Sequence, residues 1–261
     1  MAKMNQGLAV SLLIPRSIDD LATGEKILDL WESKLPNLLP ERYGNWEPLR
    51  GVFDINDKAR MLESWKSPFI ASRRKPYLDS MISMGLMKLE FHGSWDVTTK
   101  IGEVDLEEIK EFVEVASSEL DVDHCSINLL SEQEVQSGRQ SGTILVANSR
   151  ATDFGFMIAS HRLNQSLPDV YWLTIYGPPY IELFGRDHLL AAPVYRVTEL
   201  RTGHIMVQLT EDINDMIVNP GHFAFVRSRF KEHVGQDAFY SVDHTGPYRV
   251  PTFNRRQAPG V

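Results

Sequence analysis

The residues best placed for chemistry lie at one junction, Asp121-x-Asp123-His124-Cys125, where two carboxylates, an imidazole and the only cysteine fall within five positions. Such a set could ligate a metal, or pair Cys125 with His124 as an activated nucleophile. The flanking residues favour a blander reading. Cys125, Ile127 and Leu129 alternate with Ser126 and Asn128, the period of a half-buried strand, which turns the thiol inward where thiols are inert. Asp121 and Asp123 then read as capping residues at a helix–strand junction. Glu211, Asp212 and Asp215 could serve general acid–base catalysis but lie on a turn, where carboxylates cap loops. The eight histidines are scattered, none of them spaced i,i+4. No nucleophile elbow, Walker loop, Rossmann glycine fingerprint or H-E-x-x-H occurs. The expectation is a protein with no catalytic, cofactor-binding or metal-binding residues, and not an enzyme. A hydrolase whose active site is assembled without a motif is the alternative.

The strongest local signal is charge. Residues 103–134 hold eleven acidic side chains against one base, Lys110; that is a local charge of −10 in a chain of net charge −8, so the remainder sums to about +2. Within this segment Leu106, Ile109, Phe112, Val113, Ala116 and Leu120 share one helical face, while Glu107, Glu111, Glu114 and Ser118 share the other. Asp105 occupies the N-cap position, and Glu107 and Glu108 the first turn, where negative charge suits the helix dipole. Like charges at i,i+3 and i,i+4 cost a few tenths of a kcal/mol each, so the face is mildly self-repelling. It is either a solvated face or a docking surface for a basic partner. In the second case Glu107, Glu108, Glu111 and Glu114 are the partner-binding residues.

Other features bound the answer. A single cysteine permits no internal disulfide and fits a reducing compartment. The N-terminal Leu8–Ile14 run is followed at once by Pro15, Arg16, Asp19 and Asp20 without a cleavage pattern, so it reads as a first strand and not as a signal peptide. No apolar run approaches the ~20 residues of a membrane span. A cytoplasmic protein without membrane or nucleic-acid binding is expected; a homodimer is left open.

These signals need elements to carry them. Strands are expected at 8–15, 86–91, 95–98, 124–130, 143–147, 170–176, 193–198 and 204–210, and helices at 20–35, 57–65, 105–119, 180–184 and 220–234. Residues 40–55 read as irregular, 136–142 as a surface loop and 151–163 as amphipathic. The fold class is α+β, with mixed sheets and packed helices in two intimately joined lobes, about 1–135 and 143–242. A basic, Pro-containing tail, 243–261, carries Arg249, Arg255 and Arg256 and is expected to lie along the body or against another chain. Arg73-Arg74-Lys75 forms a small basic patch. Two aromatic corners, Tyr43–Leu49 and Tyr176–Gly185, are expected to seal the core through Trp46, Tyr176 and Tyr180, with Gly177 fixing the second turn; an exposed binding loop is the other reading.

Tyr43–Leu49, Phe91-His-Gly-Ser-Trp95, Trp172–Gly185, Ala192–Val197 and Val207–Asp212 together resemble bacterial immunity proteins of contact-dependent toxin systems, nearest the immunity protein 52 family. The likeness spans most of residues 8–240. The W-x-G string of that family stands here in reversed order, as Gly44-Asn-Trp46 and Gly93-Ser-Trp95. The resemblance implies an α+β fold, no enzymatic activity, no cofactor, and sequestration of one cognate toxin. The family is linked to toxins with a restriction-endonuclease-like nuclease domain, and one member pair works in type VI secretion. Nuclease domains are basic because they neutralise phosphates, so an acidic helix suits an inhibitor of one.

Overall fold

Strand β1 (Gly7–Ile14) is apolar except for Gly7 and Ser11 and buried along its whole length, as a strand covered on both faces must be. A computed structural model describes residues 6–83, 91–131, 134, 140, 144–147, 155–167 and 169–253. In it β1 pairs antiparallel with β6 (Gly93–Lys100) on one side and β7 (His124–Leu129) on the other. Outward from β6 run β5 (Leu78–Ser83), β4 (Phe69–Arg73), β2 (Arg42–Gly44) and β3 (Gly51–Val52). Outward from β7 run β10 (Leu173–Tyr176), β12 (Ile205–Gln208) and β11 (Arg196–Glu199). A separate hairpin, β8 (Ile144–Ala147) with β9 (Gly155–Ile158), completes the described strands.

The α+β class holds, with a ten-stranded sheet that is antiparallel at every pairing. The expected mixture of strand directions does not occur among neighbours. Strands β6 and β7 do run parallel to one another around helix α3 (Leu106–Leu120), but β1 is inserted between them. The sheet is continuous through both halves of the chain, because β10 hydrogen-bonds to β7.

Side-chain alternation divides the sheet into two faces. Val10, Leu12, Trp95, Val97, Cys125 and Ile127 share one of them by register. Helices α1 (Leu21–Lys34) and α3 pack on it: the Trp31 and Trp95 rings lie 5.3 Å apart, and Trp95 and Phe112 5.0 Å apart. The opposite face is unusually polar for an interior, carrying Ser11, Ser94, Asp96, His124, Ser126 and Thr174, all buried. It is covered by β9 over β1 and β6, and by α4 (Pro178–Phe184) and α7 (Pro220–Val234), whose Phe184 and Phe230 meet Tyr176. Short helices α2 (Lys58–Leu62), α5 (Arg186–Leu190) and α6 (Asp215–Val218) finish the fold.

Three features depart from the sequence reading. Arg73-Arg74-Lys75 lies at the turn of the β4–β5 hairpin, which the pattern did not announce, and residues 42–44 and 51–52 of the irregular segment add two short strands. Prolines 178 and 179 open α4 in place of preceding it, since a missing N–H costs nothing in the first helical turn. The tail, by contrast, follows the first of its two expectations, and residues 243–253 lie along the body: Arg249 donates to the Leu183 carbonyl at 2.7 Å and to that of Val234, and Phe253 packs 4.7 Å from His92. The expected strand at 86–91 falls almost wholly, and the loop at 136–142 mostly, outside the described residues, as do part of 151–163 and Arg255 and Arg256.

Candidate partner-binding surface

Helix α3 forms as its sequence requires. The Asp105 side chain accepts from the Glu107 amide at 2.9 Å, and Ile109, Phe112, Val113, Ala116 and Leu120 are buried against the sheet. Asp121, in the left-handed region at φ 52°, ends the helix. The four acidic residues singled out by charge do share the outer side, but they have neighbours. Glu111 pairs with Lys34 of α1 at 2.7 Å, Glu108 accepts from Asn37 at 3.4 Å, and Glu107 pairs with Lys110 at 3.0 Å. Glu119, one turn on, pairs with Lys26. These are surface pairs, worth ~0–1 kcal/mol each, and Glu107 and Glu111 stay exposed. Glu114 is half-buried, and that desolvation raises its pKa, with Lys110 and Arg196 opposing.

The helix is thereby divided. Glu111 meets Lys34 of α1 and Glu108 meets Asn37 just beyond it, whereas the Glu107 charge acts on Tyr195 and Arg196 acts on Glu114 near the edge strand β11. Tyr195 donates its hydroxyl to Glu211 at 3.1 Å; that bond, burial, and then the nearby Glu211 and Glu107 charges raise the hydroxyl's pKa. Beside it lies a groove of about 410 Å³ between the β11–β12 edge and α7, walled by Val194, Leu209, Asp215, His222 and Val226. Tyr195, which lines this groove, is 52% exposed, and Phe225 and Val218 elsewhere on α7 and α6 are 60% and 69% exposed. The sequence did not distinguish them from core residues.

The junction that looked most chemical is interior structure. Asp123 Oδ2 lies 3.1 Å from His92 Nε2, with both side chains buried. Burial, with His92 adding to it, pushes His124 down to about 3, and burial pushes the Cys125 thiol up. The adjoining cavity, lined by Leu13, His124, Tyr176 and Tyr180, measures about 10 Å³, room for about one water molecule. Among the described residues no three His, Cys, Asp or Glu side chains converge as a metal site. Asp212 caps the turn into α6 by accepting from the Asn214 amide at 2.9 Å.

Of the two aromatic corners, one is as expected. Tyr176 and Tyr180 are buried, and Gly177 fits because a Cβ there would meet the Val122 carbonyl oxygen at 2.2 Å. The other corrects the reading: Trp46 is 75% exposed. The corner is held instead by Tyr43, stacked on Phe69 at 5.5 Å, and by Asn45, which donates to the carbonyls of Ser64, Lys66 and Pro68. With those anchors inside, Trp46 is turned outward.

No protein-family profile matches the chain, and no curated protein does. Among solved structures the chain is similar to one described as "Pseudomonas aeruginosa T6SS protein PA0821", with a TM-score of 0.54 and 12% identity over 95% of this chain and 79% of that one. At that identity the likeness establishes a shared fold.

Proposed function

We propose that this chain is an immunity protein that binds and neutralises a cognate antibacterial toxin, a basic nuclease effector of a type VI secretion system, in the bacterial cytoplasm. The observation that carries the reading is the fold, shared along 95% of the chain with a T6SS protein. It is supported by the concentration of acid in residues 103–134, which suits a basic nuclease domain and would accelerate its capture. Its work would be stoichiometric occlusion, needing neither metal nor cofactor. Co-expression in a bacterial host with the toxin encoded beside its gene tests this. Growth should be restored and the two chains should co-purify. Undiminished toxicity with no complex formed would overturn the proposal.

A further inference from the structure

We infer that the groove at the open end of the sheet, between the β2–β3 hairpin and the β4–β5 turn, is a docking surface for an acidic segment of a protein partner, its carboxylates seated on Arg42, Arg50 and Arg74. That partner has the opposite charge to a basic toxin, so the inference goes beyond the immunity reading and does not rest on it.

The place follows from register. Val52, Arg42, Ser72 and Asp79 form one row across β3, β2, β4 and β5, continued by Thr98 on β6. Thr98 and Asp96 lie two apart on β6 and so share the polar face of the sheet, opposite α1 and α3. Over the middle strands that face is covered, and β1 is buried throughout. Along β4 and β5 burial alternates instead: the helix side is buried and the polar side only half-buried. The face is open here among the described residues, and the hollow measures about 1000 Å³.

Its charge runs against that of the chain. Four arginines, Arg42, Arg50, Arg73 and Arg74, line it against Glu41, Glu47 and Asp79, in a chain of net charge −8. Arg73 is engaged in the fold, donating to the carbonyls of Leu39 and Lys75 at 2.9 Å. The other three are exposed, and no ion pair or hydrogen bond to a described residue engages their side chains. A guanidinium's planar N–H fork bonds a carboxylate in two places at once, and Pro48 and Leu49 add apolar contact in the same wall. The excess of about one positive charge is too small for nucleic acid, which is held by neutralising many phosphates; Glu41, Glu47 and Asp79 would face its backbone. Carboxylates spaced along a protein segment meet the arginines singly and pass between those three groups.

The probe is a labelled peptide of alternating Glu and Ser, titrated against the full chain by fluorescence anisotropy beside its Gln–Ser counterpart and a labelled single-stranded DNA. The wild type should bind the Glu peptide in preference to both, and more weakly as salt rises. Arg42→Glu/Arg74→Glu should weaken binding about tenfold or more, because each reversal replaces an attraction with a repulsion. Arg50→Gln, the milder second variant, should weaken it about threefold. The replaced side chains are exposed, so thermal melts should overlay the wild type. Glu107→Lys, on the other side of the sheet, should not weaken binding. Absence of Glu-peptide binding by the wild type, or binding that both groove variants leave unchanged, overturns the inference. Tighter binding of the DNA, lost in the same variants, also overturns it, because the groove would then hold a phosphate backbone. So does a wild-type dimer that Arg42→Glu/Arg74→Glu converts to monomer, since the occupant would be a second copy. Neutralisation of the toxin is read separately, and its failure leaves the result at this groove standing.

Discussion

Ser11 donates its hydroxyl to Asp96 Oδ1 at 2.6 Å across the β1–β6 ladder, and Ser94 donates to Oδ2 at 2.9 Å, all three inside the protein. Burial outweighs both hydrogen bonds and pushes the Asp96 carboxyl up to about 7. The native state therefore holds a proton that the unfolded chain releases above about pH 4, and stability falls as pH rises from there to about 7. The full effect is on the order of 4 kcal/mol. His124, lowered to about 3 by burial and then by His92, acts oppositely: the unfolded chain binds the extra proton, and stability is lost as pH falls from about 6.5. The two effects partly cancel in mild acid and leave Asp96 dominant near neutrality. Asp96→Asn should gain stability relative to wild type between about pH 5 and pH 8, read by urea unfolding at both. A difference independent of pH would mean that Asp96 is ionised in the native protein.

Trp46→Ala should leave stability within ~0.5 kcal/mol of wild type, as surface substitutions usually do. Trp95→Ala should cost ~3–5 kcal/mol, because Trp95 is fully buried between Trp31 and Phe112. Denaturant midpoints of the two variants, side by side, check the reversal of the role that the sequence suggested for Trp46.

That reversal shows where sequence information ends. Strand β1, helices α1 and α3 and strand β7 were legible because each carries an apolar run or a clear period. The β4–β5 hairpin was not, since Phe69-Ile70-Ala71 and Met81-Ile82 break the alternation of a half-buried strand and its turn is basic and contains Pro76. The acidic face of α3 was legible as composition; the exposure of Tyr195 and Phe225 was not. Val194-Tyr195-Arg196-Val197 reads as a core strand, yet β11 is an edge strand of the sheet and Tyr195 lies exposed just before it. Phe225 lies on a helix whose buried residues are Phe223, Phe230 and Val234, and local pattern does not say which phenylalanine turns outward.

Arg227 joins the halves by an interior ion cluster, pairing with Glu134 at 2.8 Å and Asp169 at 3.1 Å, while Lys231 reaches Asp169 at 2.6 Å. Burial would raise the Asp169 pKa, but Arg227 and Lys231 together outweigh it and hold the carboxyl below its usual value. Arg227→Ala leaves Glu134 without its ion-pair partner and Asp169 with Lys231 alone, which should cost up to ~3–5 kcal/mol. Arg227→Met with Glu134→Gln and Asp169→Asn should recover part of the loss in thermal melts. No recovery would show that packing of Arg227 over the Phe223 ring, 4.6 Å away, matters more than charge.

Charge reversal on α3 tests the acidic face itself. Changing Glu107, Glu111 and Glu114 to Lys leaves Ile109, Phe112 and Ala116 in place beneath, so the fold should survive with a melting temperature near wild type. Association with a basic toxin should slow by about one to three orders of magnitude, the range that electrostatic steering supplies. The wild-type on-rate should itself fall as salt rises, because the Debye length shrinks from ~10 Å at 0.1 M to ~3 Å at 1 M. The structure refines the expectation residue by residue. Glu107 and Glu111 are already paired with Lys110 and Lys34, so either reversed alone should slow association less than Glu114→Lys. On-rates of the single and triple variants at two ionic strengths measure this. An unchanged, salt-independent on-rate for the triple variant would reduce the acidic face of α3 to a solvated surface.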